Sequence, residues 1–392
     1  MTPETERPAW VLPAIVVGQL LATSIWFAAN AVITTLQDLW GIAGGEGIVT
    51  TAIQLGFICG TLVYALGGIA DRFHPGNVFL LSAVAGASAN AAVLVAPASF
   101  DVVLAARFVA GFCLAGIYPV GMKIAASWYA GGLGRALGLL VGALVLGTAS
   151  PHLLKGLGTQ WDWRLVIAGT SMAALAGGVL VRLVPEGPYL RRGAAVRFGG
   201  VLAAFRDRRF RASACGYFGH MWELYAFWAF VPVWIAAHGA AGSTVSLLAF
   251  AVIAAGAIGC AGGGLVVRRL GGGPVALGQL LVSGTCCVVS PWLLHASTPV
   301  FVGFLLLWGL AVAGDSPQFS ALNAYFAPRA VVGSALTLVN SIGFGITIAS
   351  LSLLERLQFL LGAEWLLVPL AAGPLVGLWA GRPLLHHSPA LT

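Results

Sequence analysis

Long hydrophobic stretches separated by short polar breaks run along the whole chain. A helix that crosses a membrane needs roughly 20 predominantly apolar residues, and twelve stretches approach that length. Because only helices satisfy their own backbone groups in hydrocarbon at this segment length, the pattern predicts an all-α polytopic membrane protein with 12 transmembrane helices. The predicted limits are 11–36, 49–70, 77–97, 102–124, 134–154, 165–184, 212–237, 244–267, 275–295, 299–322, 332–353 and 364–381.

One longer polar stretch divides the chain near its midpoint. It predicts an N-terminal six-helix bundle over 1–184, a cytoplasmic central loop over 185–211 and a C-terminal six-helix bundle over 212–392. Two bundles of equal size that are copies of one another are expected to show an internal repeat.

Short sequences of the two halves superpose at a shift of roughly 198 residues. Residues 110–119, AGFCLAGIYP, fall on residues 308–317, WGLAVAGDSP, which aligns Gly111 with Gly309. GGIADRFHP falls on GLVVRRLGG and GRAL falls on GSAL, in the same order along the chain. The repeat predicts two pseudo-symmetric bundles with a site between them at mid-membrane depth, as in secondary transporters.

The composition agrees with lipid as the main solvent. Of the 392 residues, 59% are hydrophobic and 8% are charged, which is too few charges to cover the surface of a soluble protein of this size. The six cysteines lie inside predicted helices and form no CxxC pair. They are interpreted as small buried apolar residues, and no metal site is predicted.

The distribution of positive charge predicts the orientation. The formal net charge is +7, and Lys and Arg accumulate in cytoplasmic loops of membrane proteins. The pattern predicts a multi-pass protein of the cytoplasmic (inner) membrane with both termini in the cytoplasm, and it offers no nucleic-acid partner. Outside the arginine-rich stretch 185–211, the positive residues of the predicted cytoplasmic loops are Arg72, Arg135, Arg268, Arg269 and Arg329.

The seventh predicted helix carries ionisable residues inside the stretch GHMWELYAFWAF. Glu223 lies roughly 16 Å into this helix, and His220 lies one turn earlier on the same face. A carboxyl group in an apolar setting favours its neutral form, which suits a group that takes up and releases protons, and the imidazole is expected to share the proton. We therefore predict a proton-coupling role beside a water-lined cavity. The alternative is a neutral Glu223 that hydrogen-bonds across helices.

Three further charged residues lie within predicted helices. Asp315 precedes Pro317 in the tenth helix, where it either joins the proton-coupling residues or caps backbone freed by a proline kink. Arg107 is predicted near the outer end of the fourth helix and Lys123 near its cytoplasmic end. Both either snorkel to the membrane surface or face the cavity, where Lys123 would hold an anion.

Aromatic and amide side chains complete the predicted substrate site. Tryptophans deep in helices line a cavity or stack on a planar ligand, whereas amides offer neutral hydrogen bonds or join helices. The predicted substrate-binding residues are Lys123, Trp26, Asn30, Gln54, Trp222, Tyr225, Phe227 and Asn340.

The turn after the second predicted helix carries a motif. Gly67, Asp71 and Arg72 match the pattern Gly, three residues, Asp, Arg or Lys, whereas His-Pro-Gly-Asn at 74–77 replaces its second glycine and basic cluster. Together with the Arg, three residues, Gly pattern that begins at Arg107, this motif resembles the major facilitator superfamily. The resemblance implies a two-bundle transporter, a latch at this turn that braces the halves on the cytoplasmic side, and a proton-transfer role for Arg107.

These features predict a secondary active transporter that moves a small organic solute by alternating access, coupled to protons, as a monomer in the bilayer without a cofactor. A small-anion permease is favoured by Lys123, Arg107 and His220. A drug or metabolite efflux pump is favoured by Glu223, Asp315 and the aromatic side chains. A receptor or structural membrane protein without flux is the third alternative. An ATP-driven pump and a membrane enzyme are not predicted, because the sequence has no GxxxxGK[ST] and no HExxH.

Overall fold

A computed structural model describes most of the chain, and within the described residues the secondary structure is helical without strands. The predicted all-α class is therefore confirmed. The arginines at 191, 192, 197 and 329, which contribute to the predicted charge asymmetry, lie outside the described residues. The described ranges are 8–129, 133–158, 162–190, 204–328 and 331–385.

Within the described residues, the N-terminal half contains six helical segments, two of which are broken. A short helix, Ile69–Arg72, follows the second segment. The segments are α1 (Val11–Thr23, Ala28–Ala31 and Ile33–Trp40), α2 (Glu46–Leu66), α3 (Pro75–Ala92), α4 (Phe100–Leu114 and Tyr118–Ala126), α5 (Leu133–Leu157) and α6 (Trp163–Arg182).

The C-terminal half also contains six segments. They are α7 (Arg208–Ala237), α8 (Ser243–Leu270), α9 (Gly272–Leu293), α10 (Thr298–Gly314 and Ser316–Phe326), α11 (Val332–Leu357) and α12 (Ala363–Leu385, with the α-helix Ala372–Gly381 at its centre). α7 begins at Arg208, within the predicted central loop 185–211, and the predicted bounds of the loop and the two bundles stay a prediction. The side chain of Asp207 caps this start by accepting from the backbone N–H groups of Arg209 and Phe210 at 2.7 and 3.1 Å.

Nine helices within the described ranges are long and apolar enough to cross a membrane. The first piece of α1, Val11–Thr23, is a shorter apolar helix. Together with α3 and α7, the broken α1 completes the predicted set of twelve segments.

The helix breaks in α4 and α10 lie at matching positions of the internal repeat. α4 is interrupted between Leu114 and Tyr118, and α10 is interrupted at Asp315. In each case a proline, Pro119 or Pro317, lies in the first turn of the second piece. Proline lacks a backbone N–H and clashes with the preceding turn, so it ends the first piece of the helix.

Two glycines show that the halves also pack alike. Gly111 of α4 lies directly against the backbone of Ile53 in α2, and Gly309 of α10 lies in the same way against Val252 in α8. A Cβ atom at either glycine would overlap the facing carbonyl oxygen. The contact of α4 with α2 is thus repeated by the contact of α10 with α8.

The two halves meet along two helix pairs, α5 with α8 and α2 with α11. Because consecutive segments alternate in direction, the turn between α2 and α3 lies on the same face as the central stretch between α6 and α7. We call this face the central-loop face. The turns between α1 and α2 and between α11 and α12 lie on the opposite face.

Candidate functional site

A group of buried aromatic side chains joins the two halves between α1, α2, α7 and α11. Trp26, in the break of α1, stacks on Tyr225 of α7 with ring centroids 5.5 Å apart and an interplanar angle of 21°. Its ring also lies 5.1 Å from that of Phe57 and 6.1 Å from that of Phe344. We call the following residues the aromatic cluster: Trp26, Phe27, Phe57, Tyr225, Trp228 and Phe344.

Several polar atoms in and beside the aromatic cluster lack partners. Nε1 of Trp26, Nε1 of Trp228 and both amide atoms of Gln54 are buried and have no hydrogen-bond partner among the described residues. Gln54 lies one turn from Phe57 on the same face of α2. An unmet buried polar group costs about 1–3 kcal/mol, so these atoms suit a region that receives a polar ligand or water.

His220 of α7 and Asp315 of α10 form a buried pair. Nδ1 of His220 lies 2.7 Å from Oδ1 of Asp315, and each side chain is 1% exposed. Asp315 occupies the break of α10. Within the described ranges, Nε2 of His220 and Oδ2 of Asp315 have no hydrogen-bond partner. The pair therefore keeps two polar atoms that can bind a proton or a polar group.

Glu223 lies one turn further along α7 and has a separate set of partners. Its Oε2 accepts from Oγ of Ser283 at 2.5 Å, and its Oε1 accepts from Nε1 of Trp308 at 2.7 Å and from Sγ of Cys287 at 3.3 Å. Donors from α9 and α10 enclose the carboxylate inside the C-terminal half, which matches the alternative of a Glu223 that hydrogen-bonds across helices. Its proton-coupling role stays a prediction.

Two predicted substrate-binding residues also face the C-terminal half. Phe227 stacks on Trp308 with ring centroids 4.5 Å apart. Nε1 of Trp222 donates to the carbonyl oxygen of Pro369 in α12 at 3.1 Å. Of the α7 residues predicted to bind substrate, Tyr225 contacts the aromatic side chains of the other half. The substrate role of Trp222 and Phe227 stays a prediction that these contacts do not support.

Arg107 is fully buried rather than close to the membrane surface. Its Nη1 donates to the carbonyl oxygen of Ile25 at 2.9 Å, and its Nη2 donates to Oδ1 of Asn90 at 2.5 Å. Asn90 in turn donates to side-chain oxygens of Thr170 and Ser171 in α6. Of the two alternatives left open for Arg107, snorkelling does not fit this geometry, because the side chain holds the break of α1 next to the aromatic cluster. Its proton-transfer role stays a prediction.

Lys123 belongs to the motif after α2 rather than to the space between the halves. Its Nζ donates to Oδ1 of Asp71 at 2.5 Å and to the carbonyl oxygen of Ala70 at 2.6 Å. Gly67 ends α2, and Arg72 ends the short helix that follows. The substrate-binding role predicted for Lys123 has no support in this geometry. The role of the motif as a latch between the halves stays a prediction.

The predicted amides occupy different environments. Nδ2 of Asn30 donates to Oγ1 of Thr50 at 2.8 Å and to the carbonyl oxygen of Glu46 at 3.3 Å, which joins α1 to the start of α2. Asn340 is half-buried on α11, one turn from Phe344 on the same face. Asn340 therefore stays compatible with a substrate role, whereas Asn30 is used within the N-terminal half.

Sequence reasoning missed Phe27, Phe57 and Phe344 of the aromatic cluster and the partners of Glu223. A phenylalanine in an apolar helix looks the same whether it faces lipid or another helix. One signal was available for Phe57, because the polar Gln54 one turn away marks the face of α2 that avoids lipid.

Two curated relatives match part of the chain. The niacin transporter NiaP of Acinetobacter baylyi is 30% identical over 172 residues, which are 41% of this chain and 36% of that protein. A chloramphenicol resistance protein of Streptomyces lividans is 33% identical over 188 residues, which are 46% of this chain and 45% of that protein. The matched region thus spans less than half the length of each relative.

Solved structures match over nearly the whole chain. The human organic anion transporter MFSD10 (TETRAN) matches with a TM-score of 0.73 at 17% identity, over 97% of this chain and 100% of that chain. The proton:xylose symporter XylE, bound to 6-bromo-6-deoxy-D-glucose, matches with a TM-score of 0.74 at 14% identity, over 97% and 95% of the two chains. At these identities the likeness shows the fold alone. The sequence profile of the Major Facilitator Superfamily matches residues 15–351, so the chain belongs to this superfamily of membrane transporters.

Proposed function

We propose that this chain is a proton-coupled secondary transporter that moves a planar aromatic solute across the cytoplasmic membrane by alternating access. The observation that carries the proposal is the aromatic cluster, which is built from both halves and contains buried polar atoms without partners among the described residues. The positive charge on the central-loop face favours an orientation with that face in the cytoplasm.

The aromatic cluster supports the substrate class. Trp26 and Tyr225 belong to different halves and are already stacked on one another. A planar ring inserted between them would keep two stacking contacts, each worth about 0.5–1.5 kcal/mol beyond the buried area. Because the two walls move relative to one another during alternating access, such a ligand would link its binding to the opening of one face. Gln54 would then bind a polar substituent.

The cationic residues give less support to a small-anion permease than the sequence suggested. Lys123 is paired with Asp71, and Arg107 is bound to Ile25 and Asn90. Of the three residues that favoured a small-anion permease, these two are engaged within the N-terminal half, and the third, His220, is paired with the acid Asp315. The two curated relatives are named for niacin and chloramphenicol, both of which contain an aromatic ring. These names favour an aromatic solute, taken up or extruded.

The His220–Asp315 pair is the part of the site best suited to proton coupling. It retains polar atoms without partners among the described residues, whereas the carboxylate of Glu223 has donors on both oxygens. Asp315 also lies where α10 is broken, so a change in its protonation acts at the point where this helix bends most easily. We therefore assign the coupling proton to this pair and a scaffold role to Glu223.

Flux measurements in proteoliposomes test both parts of the proposal. Uptake of radiolabelled niacin and chloramphenicol is followed with an imposed pH gradient. Asp315→Asn is expected to abolish the part of the flux that the gradient drives, whereas Glu223→Gln retains it. The opposite result would return the coupling role to Glu223.

The substrate site is tested in the same assay. Trp26→Ala and Tyr225→Ala are expected to raise KM roughly two- to tenfold, because each removes one aromatic wall. Trp222→Ala is the matched control, because this side chain packs against α12. Equal effects of all three substitutions, or flux of neither aromatic solute under any gradient, would refute the aromatic site.

A further inference from the structure

Glu355, near the end of α11 on the opposite face, binds the other half of the molecule. Its Oε1 accepts from the backbone N–H of Gly45 at 2.5 Å, and its Oε2 accepts from the backbone N–H of Gly47 at 2.7 Å. Both hydrogen bonds join the C-terminal half to the N-terminal half. One carboxylate therefore ties α11 to the start of α2.

The carboxylate of Glu355 is a favourable acceptor for the backbone N–H groups at the start of α2. The first N–H groups of a helix have no partner within the helix and lie at the positive end of its dipole. A carboxylate that accepts from them forms charge-assisted hydrogen bonds, which are roughly twice as strong as neutral ones. Gly45 and Gly47 supply such groups at the start of α2, and a single side chain of α11 binds both.

The local backbone leaves room for the contact only because glycines are present. A Cβ atom on Gly47 would lie 2.6 Å from Oε2 of Glu355 and 3.0 Å from the carbonyl oxygen of Leu351. Gly45 has a φ of +105°, which other residues rarely adopt. The sequence GGEG therefore brings the backbone of α2 against the carboxylate of α11.

The start of α2 is also fixed to the end of α1. Nε2 of Gln37 donates to Oε1 of Glu46 at 2.7 Å and to the carbonyl oxygen of Gly44 at 2.8 Å. The turn that Glu355 binds is thus part of a rigid unit of the N-terminal half. Pulling this turn away from α11 requires the α1–α2 corner to move as a whole.

We propose that Glu355 is the gate residue of the opposite face: its carboxylate holds α11 against α2 while this face is closed, and its release opens the path to the aromatic cluster. Phe57 of α2 and Phe344 of α11 lie roughly 15 Å deeper along the same two helices. Once the clamp at Glu355 is released, these helices separate above the cluster. The inference rests on the fold and the hydrogen bonds, and it needs neither the proposed solute nor proton coupling.

Hydrogen–deuterium exchange of the purified full chain in lipid nanodiscs tests the gate without any substrate. Glu355→Gln keeps one carbonyl oxygen but places an NH2 group against the second N–H, so one of the two bonds is lost. Amide exchange is expected to rise roughly tenfold in peptides covering 44–50 and also in the deeper peptides 22–30 and 221–230. Glu364→Gln is the matched control, because it removes a carboxylate on the same face from the first turn of α12.

The deeper peptides decide the outcome. Faster exchange confined to residues 44–50 would show that Glu355 only caps α2, and unchanged exchange would show that the contact holds nothing closed; either result overturns the proposal. Gly47→Ala is the second variant, since its methyl group displaces the Glu355 carboxylate without changing charge. It is expected to reproduce the exchange pattern of Glu355→Gln, and protection equal to that of the wild type in the deeper peptides would contradict the gate.

Discussion

Replacement of Glu223 tests whether its carboxylate is a satisfied part of the scaffold. Glu223→Leu removes the acceptor of Nε1 of Trp308 and of Oγ of Ser283. The serine hydroxyl can rotate toward a backbone carbonyl of its own helix, whereas the indole N–H has a fixed direction. One buried donor is left unsatisfied, so the free energy of unfolding is expected to fall by about 1–3 kcal/mol.

The amide variant is expected to behave differently. In Glu223→Gln, Oε1 still accepts from Trp308, and Ser283 turns to accept from Nε2. The change in the free energy of unfolding should therefore stay within about 1 kcal/mol. Glutamine keeps hydrogen-bonding groups that leucine lacks, so the comparison of the two variants tests the contribution of the hydrogen bonds.

A double-mutant cycle supplies the sharpest form of the test. Trp308→Phe removes the donor but also leaves a cavity beside Phe227, so its own cost is measured as the second single variant. Thermal unfolding in detergent, followed by a thiol-reactive dye, should show that the double variant Glu223→Leu/Trp308→Phe loses less free energy of unfolding than the two single variants together, because no unsatisfied indole donor remains. Equal midpoints for Glu223→Leu and Glu223→Gln, or strictly additive losses in the double variant, would refute the reasoning.

Two further predictions concern the packing of the N-terminal half and its repeat. Gly111→Ala and Gly309→Ala should each lower the free energy of unfolding by about 1–3 kcal/mol, because each forces a helix pair apart. Gly303→Ala is the control, because a Cβ atom at this position meets open space. Thermal unfolding should show that the control substitution is not destabilising. Arg107→Met should lower the free energy of unfolding by about 1–3 kcal/mol or more, because the buried carbonyl oxygen of Ile25 and the amide oxygen of Asn90 lose their donor. Arg107→Lys should recover only part of the lost unfolding temperature. Full recovery would show that the positive charge, rather than the two hydrogen bonds of the guanidinium group, stabilises this region.

Hydropathy was sufficient to predict the helical class and the order of the segments, because the length of a membrane crossing fixes how long each apolar stretch must be. It did not predict the break of α1, which contains no proline at that point. The break is held by tertiary contacts: Arg107 of α4 donates to the carbonyl oxygen of Ile25, and Oγ of Ser24 donates to the carbonyl oxygen of Thr170 in α6. Such partners lie on other helices and leave no periodic signal.

The sequence was sufficient to single out the buried ionisable residues of the candidate site, but it did not predict which side chains they contact. Glu223, His220 and Asp315 were singled out because ionisable groups are rare at membrane depth, and all three are buried in the structure. Sequence spacing placed His220 beside Glu223, since neighbours one turn apart share a face. The observed partners come from α9 and α10, and single-sequence patterns carry no information on which helix faces another.

The ionisable groups are distributed unevenly between the two halves of the internal repeat. Asp315 occupies the break of α10, and Ile117 occupies the matching position in the break of α4. The helix break thus carries an apolar side chain in the N-terminal half and an acid paired with His220 in the C-terminal half. In the N-terminal half Arg107 is fully buried, and it is used to fix the break of α1. The proposed division follows from this asymmetry: the C-terminal half binds the proton, the N-terminal half supplies the rigid aromatic wall of Trp26, and a solute stacked between them senses both.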